Sequence, residues 1–313
     1  MATGPLRVLT HLPVEALSRF KDRLRGVELI AVPRQGELRA EVEGEVLLTM
    51  AWGSENLAAT VERGVRWIHT IGTGVDHFPL HAVGNRVLTC ARGASSIPIA
   101  EWVLAVMLAF EKQLPDAWLD VPPAQWNLRP LGGLHGRTLG LVGLGGIGEA
   151  IATRALAFGM RVRAQRRTRR KSPIAGVEIA SDLEDLLASA DHLVLAAAAT
   201  PATHHLIDRR SLKCVKSGVH LVNIARGSLV DQEALREALD DDRVAGASLD
   251  TVDPEPLPEG HWLYTHPKVR LSAHISWNMP GALDWIFETF VANLERYRAG
   301  EELVGVVDPS EGY

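Results

Sequence analysis

Residues 138–148, Thr-Leu-Gly-Leu-Val-Gly-Leu-Gly-Gly-Ile-Gly, constrain this chain more than any other stretch. An apolar run ends in G-x-G-x-x-G at Gly143, Gly145 and Gly148, and a helix-like stretch follows from Gly146 to Gly159. That order is strand, tight turn and helix N-terminus, the layout that holds a dinucleotide pyrophosphate. Gly143 permits the turn, Gly145 lets the backbone approach phosphates, and Gly148 lets the helix pack close to the strand. Unpaired N–H groups and a partial positive charge at the helix start favour an anion there. Alone the motif is weak, since a glycine-rich turn can serve only to pack a helix on a sheet. The strand before it and a second β pattern about 20 residues on strengthen the dinucleotide reading.

The surrounding pattern alternates strand and helix almost throughout, without a repeat or a low-complexity tract. Apolar β runs occur at 6–9, 28–32, 46–49 and 67–71, with helix-like segments such as 14–24 and 56–63 between them. The second half repeats the logic, with strands expected at 137–142, 160–164, 192–196, 220–223, 246–249 and 269–271. Ser181 to Glu184 has the spacing of a capping box that opens a helix. The strands read as apolar on both faces, so parallel sheets covered by helices on each side are expected. Residues 99–110 are apolar nearly all round, which predicts a helix buried on every side that crosses between the two lobes. The Pro- and Trp-rich stretch 114–134 reads either as a subunit-contact arm or as an ordinary surface loop.

A length of 313 residues suits two domains, and a net charge of −5 argues against general nucleic-acid binding. The longest apolar run, Trp102 to Phe110, is too short to span a bilayer, and residues 1–13 lack the build of a signal peptide. Cys90 and Cys214 are the only cysteines and have no metal-like spacing. Neither a metal nor a membrane is therefore expected, and a reducing, cytoplasmic setting is the default.

Three later strand ends carry candidate chemistry. Asn223-Ile224-Ala225-Arg226-Gly227 follows one strand. An Arg at a strand's C-terminal end can grip a carboxylate with both arms and polarise a neighbouring carbonyl. The next strand ends in Leu249-Asp250 and leads to Glu255-Pro256, and the one after leads to His274. A glutamate hydrogen-bonded to one imidazole nitrogen favours the imidazolium and fixes the tautomer, so the other nitrogen can act as general acid or base. The carboxylate or the histidine alone is more often structural, but the pair together with Arg226, whose place at a glycine turn after a strand favours function, suggests hydride transfer to or from a 2-keto or 2-hydroxy acid.

With these residues in place, the chain resembles the D-isomer-specific 2-hydroxyacid dehydrogenases, which include glyoxylate/hydroxypyruvate reductases and phosphoglycerate dehydrogenases. The ordered motifs are Gly72-Thr73-Gly74-Val75-Asp76, Ile99-Ala100-Glu101-Trp102, Gly143–Gly148, Asn223–Gly227, Asp250–Pro256 and His274. The resemblance implies an α/β fold of two doubly wound parallel-sheet domains, a Rossmann cofactor domain and a flavodoxin-like substrate domain. Residues 1–98 with 282–313 would form the substrate domain, and 99–281 the dinucleotide-binding domain. It implies that Arg226 binds substrate and assists catalysis, that Glu255 belongs to the proton relay, and that His274 is the acid/base. Backbone amides of Gly74 and Val75 would receive the substrate carboxylate. Homodimers are usual in the family. The chain departs from the common pattern with Ala273 before the histidine and Ser276-Trp277 after it. Trp277, and Trp52 from the other lobe, would narrow the site or simply pack.

For the cofactor, the candidate contacts are Gly143, Gly145, Gly146, Ile147 and Gly148, with Ala225 and Asp250 on later strand ends. An acidic residue after the second strand often binds the adenosine ribose. Here Arg166, Arg167 and Thr168 stand at that place, at the start of a basic run. A guanidinium can bind a 2′-phosphate that a carboxylate would repel, so NADP(H) is expected over NAD(H). The plainer reading of the run is a solvated basic face. Two rival functions stay open: a non-catalytic nicotinamide-binding regulator, and a dehydrogenase of another small anion. No long C-terminal regulatory extension is expected.

Overall fold

The computed structural model describes residues 4–126, 129–167 and 171–313. The chain divides into two compact units, Met1–Ser95 with Pro280–Tyr313, and Ser96–Met279.

In the first unit the strands are β1 (Leu6–Thr10), β2 (Val27–Ala31), β3 (Val46–Thr49), β4 (Trp67–Thr70) and β5 (Val87–Cys90), with the short helix α1 (Leu57–Val61) after β3. They form one sheet in the order β2-β1-β3-β4-β5, and every pairing is parallel. Because side chains alternate along a strand, each strand feeds both faces. Leu9, Leu47, Ile68 and Leu88 join one cluster, whereas Val8, Val46, Leu48 and Trp67 join the other. This two-sided burial explains the near-continuous apolar runs.

The second unit opens with α2 (Ser96–Glu111). Its strands are β6 (Thr138–Val142), β7 (Arg161–Gln165), β8 (Val177–Ile179), β9 (His192–Leu195), β10 (Val219–Asn223), β11 (Val244–Leu249) and β12 (Val269–Leu271). Helices α3 (Gly146–Ala157), α4 (Leu183–Ser189) and α5 (Gln232–Asp240) lie between them along the chain. The sheet order is β12-β11-β10-β9-β6-β7-β8, all parallel. Strand β6 is hydrogen-bonded to β7 on one side and β9 on the other, so the winding reverses there. A reversal of that kind opens a crevice beyond the carboxyl ends of the strands. The chain then returns to the first unit through α6 (Ala282–Ala299), whose Phe290, Val291 and Leu294 pack in the cluster that holds Trp67.

Several local expectations differ from the structure. Residues 14–24 do not form an α-helix: Val14–Phe20 is wound as 3-10 turns after Pro13. The cap of α4 is Asp182, whose carboxylate accepts the Asp185 amide, one residue later than the expected Ser181. Helix α2 is not buried on every side, because Glu101 and Ala105 are exposed, and it belongs to the second unit. Its last turn is tied to the sheet by a buried polar chain. Glu111 meets His192 Nε2 at 3.0 Å, His192 Nδ1 meets His220 Nδ1 at 3.1 Å, and His220 Nε2 meets Ser248 Oγ at 3.0 Å. The His192 bond, which outweighs the opposing effect of burial, holds the Glu111 carboxyl below its usual range.

Candidate active site

The glycine turn sits between β6 and α3, where the sheet reverses. Gly143 has φ +103°, and a Cβ on it would meet the Ala196 carbonyl oxygen at 2.7 Å. A Cβ on Gly148 would run into the Gly143 carbonyl. The chain's own packing therefore demands both glycines. Gly145 differs, since a Cβ there would meet nothing within 4 Å. Space is left open in front of the first turn of α3, and its N-cap, Gly145, offers no side chain to the free amides. These residues, with the exposed Gly146 and half-buried Ile147, fit a pyrophosphate held by backbone N–H groups.

At the end of β7, Arg166 is half-buried and Arg167 exposed, while Thr168 lies outside the described residues. Arg163, earlier on the strand, is engaged internally with Glu178, Asp185 and Ser189.

The three chemical residues come together within the second unit. After β10, the Asn223 side chain accepts from the Ala225 amide at 3.0 Å and donates to the Arg226 carbonyl at 2.9 Å, which shapes the turn. Arg226 Nη1 donates to the Ala225 carbonyl at 2.8 Å, and Ala225 itself is buried. A Cβ on Gly227 would overlap the Val252 carbonyl, so only glycine lets this turn lie against the segment after β11. On that segment Glu255 accepts from the Val252 amide at 3.1 Å through Oε1. Its Oε2 lies 2.8 Å from His274 Nδ1, with both side chains about two-fifths exposed (37% and 40%). Burial pushes the Glu255 carboxyl up, but the hydrogen bonds from His274 and Val252 and the charges of His274 and Arg226 outweigh it. The net effect is a Glu255 carboxyl below the ordinary range, so this carboxylate stays ionised further into acid.

His274 has φ +53°, the left-handed region that non-glycine residues seldom adopt. Its amide donates to the Asp250 carbonyl at 2.9 Å, and its carbonyl accepts the Trp277 indole N–H at 3.0 Å. Trp277 also packs against the cluster around Met107 and Ile151. Asp250, read from sequence as a cofactor contact, is 1% exposed and turns its carboxylate into the His274 loop. It accepts from Ser272 Oγ at 2.5 Å, the Ile275 amide at 2.8 Å and the Ser276 amide at 3.0 Å. Sequence reasoning missed Ser272. The signal lies in no single segment, because it is the pairing of Leu249 on β11 with Leu271 on β12 that puts Asp250 and Ser272 side by side.

Gly74 and Val75 follow β4 in the first unit, with the Val75 side chain buried. Trp52, in the same unit, is exposed. Among the described residues no group of three His, Cys, Asp or Glu side chains could hold a metal ion, and no helix is long and apolar enough to cross a membrane.

Residues 104–276 match the family model for the NAD-binding domain of D-isomer specific 2-hydroxyacid dehydrogenases. A glyoxylate reductase of Thermococcus gammatolerans is 36% identical over 287 residues, 86% of this chain and 84% of that protein. A D-3-phosphoglycerate dehydrogenase of Methanocaldococcus jannaschii is 31% identical over 278 residues, 86% of this chain but only 53% of the longer relative. Among solved structures, a D-isomer specific 2-hydroxyacid dehydrogenase family protein of Aeromonas salmonicida superposes with a TM-score of 0.82 at 28% identity, covering 98% of this chain and 100% of that one.

Proposed function

The chain belongs to the D-isomer specific 2-hydroxyacid dehydrogenase family, and from that premise we propose that it interconverts small 2-keto acids and D-2-hydroxy acids with a nicotinamide cofactor. Glyoxylate and hydroxypyruvate are the proposed substrates, by likeness to the relatives that bear those names. The observation that carries the reading is the 2.8 Å pairing of His274 Nδ1 with Glu255 beside Arg226. Nδ1 is engaged by the carboxylate, so Nε2 is the nitrogen left to exchange a proton with substrate.

When bound, the reduced nicotinamide supplies the hydride for the carbonyl carbon. In reduction, protonated His274 gives its proton to the carbonyl oxygen, and Glu255 stabilises the imidazolium beforehand. The Arg226 guanidinium binds the substrate carboxylate and counters the negative charge that grows on the oxygen. Amides of Gly74 and Val75 are proposed substrate-carboxylate ligands, as the family resemblance implies. Gly143, Gly145, Gly146, Ile147 and Gly148 hold the pyrophosphate. NADPH is the proposed form, because the chain after β7 offers Arg166 and Arg167 and no carboxylate. A substrate-saturated comparison that gave NADH the higher kcat/KM would overturn that choice.

The arm after α2 exposes Trp118, Val121 and Trp126 at over two-thirds of their surface, which supports pairing with a second copy of the chain. The free thiols of Cys90 and Cys214 suit a reducing cytoplasm. The deciding experiment is a panel of 2-keto acids scored by loss of NADPH and NADH absorbance. Turnover of glyoxylate or hydroxypyruvate to the D-hydroxy acid is expected, and no turnover of any 2-keto acid would refute the reading.

A further inference from the structure

We propose that Trp277 is a positioning residue for the acid/base histidine, whose backbone carbonyl it fastens through the indole N–H. The inference rests on the assignment of His274 as the acid/base.

A residue's φ and ψ are set by the two peptide planes that flank it. The plane before His274 is held by its amide, which donates to the Asp250 carbonyl at 2.9 Å. The plane after it is held at both ends. Its N–H belongs to Ile275 and donates to Asp250 Oδ1 at 2.8 Å. Its C=O belongs to His274 and accepts the Trp277 indole N–H at 3.0 Å. Without the indole, that plane keeps a single tether and can swing about it. The next fastening, from the Asn278 amide to the Ile275 carbonyl at 2.9 Å, lies one peptide further on.

The left-handed backbone of His274 needs such fastening, because a non-glycine residue keeps that region only when its surroundings over-determine it. Trp277 suits the task at both of its ends. Its apolar body is half-buried against the cluster that holds Ile99, Val103 and Ile224, so close packing immobilises the ring. Its N–H then reaches back three residues, since a packed indole needs a partner for its polar edge. Ile275, between the two, is exposed and supplies no such anchor. Any residue at 277 that lacks a side-chain donor leaves the His274 carbonyl unfastened, so this departure from the common sequence pattern is tied to the geometry of the relay. The same backbone aims the imidazole at Glu255, 2.8 Å away, and a swing of the peptide is passed on to that bond.

The test compares the wild type with Trp277→Phe and with benzothienylalanine installed at the same position. Both keep an aromatic body and drop the N–H. The second copies the indole's shape, so it decides the matter if the first unsettles the fold. In each, kcat should fall about tenfold, the scale of one hydrogen bond, with NADPH Kd, read by nucleotide fluorescence, unchanged. The alkaline limb of the reduction profile should move to lower pH, because a displaced imidazolium loses part of the stabilisation from Glu255. A side chain that only packs would leave that limb in place. An unmoved limb therefore overturns the proposal, and if the KM of bulkier keto acids drops at the same time, Trp277 is a wall of the substrate pocket instead. Should the wild type turn over no 2-keto acid, the functional reading fails by itself. The role of Trp277 is then decided by NMR titration of the His274 ring protons in Trp277→Phe, where a shift to lower pH supports it and an unmoved titration refutes it.

Discussion

In the proposed reaction, proton transfer rests on the single hydrogen bond between His274 and Glu255. With Nδ1 held by Glu255, the other ring nitrogen is the one positioned to move a proton, and its loss should be severe. His274→Ala is expected to lower kcat by about 100-fold or more while leaving NADPH binding intact, as steady-state and equilibrium titrations will show. Wild-type kcat in that variant would remove the histidine from the mechanism. Glu255→Gln keeps a hydrogen-bonding side chain but removes the charge. Reduction needs the imidazolium, so activity falls as pH rises past its titration. Without the carboxylate that fall should begin at lower pH, and a kcat profile unchanged between the two enzymes would count against the relay. Glu255 has the opposite sign. Its carboxyl is held below the usual range, so its negative charge persists through mild acid and is lost only as pH drops through that depressed value.

At the scale of elements, strands were the legible part and irregular turns were not. Strands such as β3, β6 and β9 are buried on both faces, and nothing but an apolar run can satisfy that. Strands β5 and β8 lack such a run, since β5 opens on an exposed Val87 and carries Thr89, and β8 has an exposed Glu178 at its centre. The 14–24 segment has a helix's spacing, yet its first turns are wound tightly behind Pro13, where local packing overrides the pattern. The site divides the same way. Arg226 and Glu255 stand out as candidates because Gly227 and the prolines Pro254 and Pro256 mark the turns after their strands, whereas His274 has neither residue beside it and is singled out only with the others. Ser272 is not, because its partner is set by the register of two strands, which lies outside any single segment. One element makes a sharp stability test. Trp67 of β4 stacks with Phe290 and Tyr297 of α6, with centroids 5.7 and 5.3 Å away, and its indole N–H donates to Thr89 at 2.8 Å. Trp67→Ala should destabilise the protein by about 3–5 kcal/mol in urea titrations, and a loss below 1 kcal/mol, roughly the level of a surface change, would mean that α6 is not anchored there.

For the molecule as a whole, acid is the predicted weakness. Burial lowers His69 from 6.5 to about 3, and burial with the charge of Arg34 lowers His11 to about 4. His220, in the second unit, is likewise depressed by burial and by His192. Each takes up a proton in the unfolded chain below about pH 6.5 that the folded chain refuses. Their contribution is therefore complete above that pH and is withdrawn on the way down to the folded values. The slope approaches 1.4 kcal/mol per pH unit for each such group. Urea midpoints should fall between pH 6.5 and 4, and His69→Gln should flatten the fall, whereas equal slopes for both proteins would dismiss this histidine as a cause. The placing of α6 has a further result for biosynthesis. The first unit begins the chain, yet Phe290, Val291 and Leu294, which complete one face of its sheet, are translated only after all of Ser96–Met279. A ribosome therefore presents the nucleotide-binding half as a finished body while the half begun earlier still waits with bare hydrophobic surface, and a nascent-chain chaperone would find its binding site there.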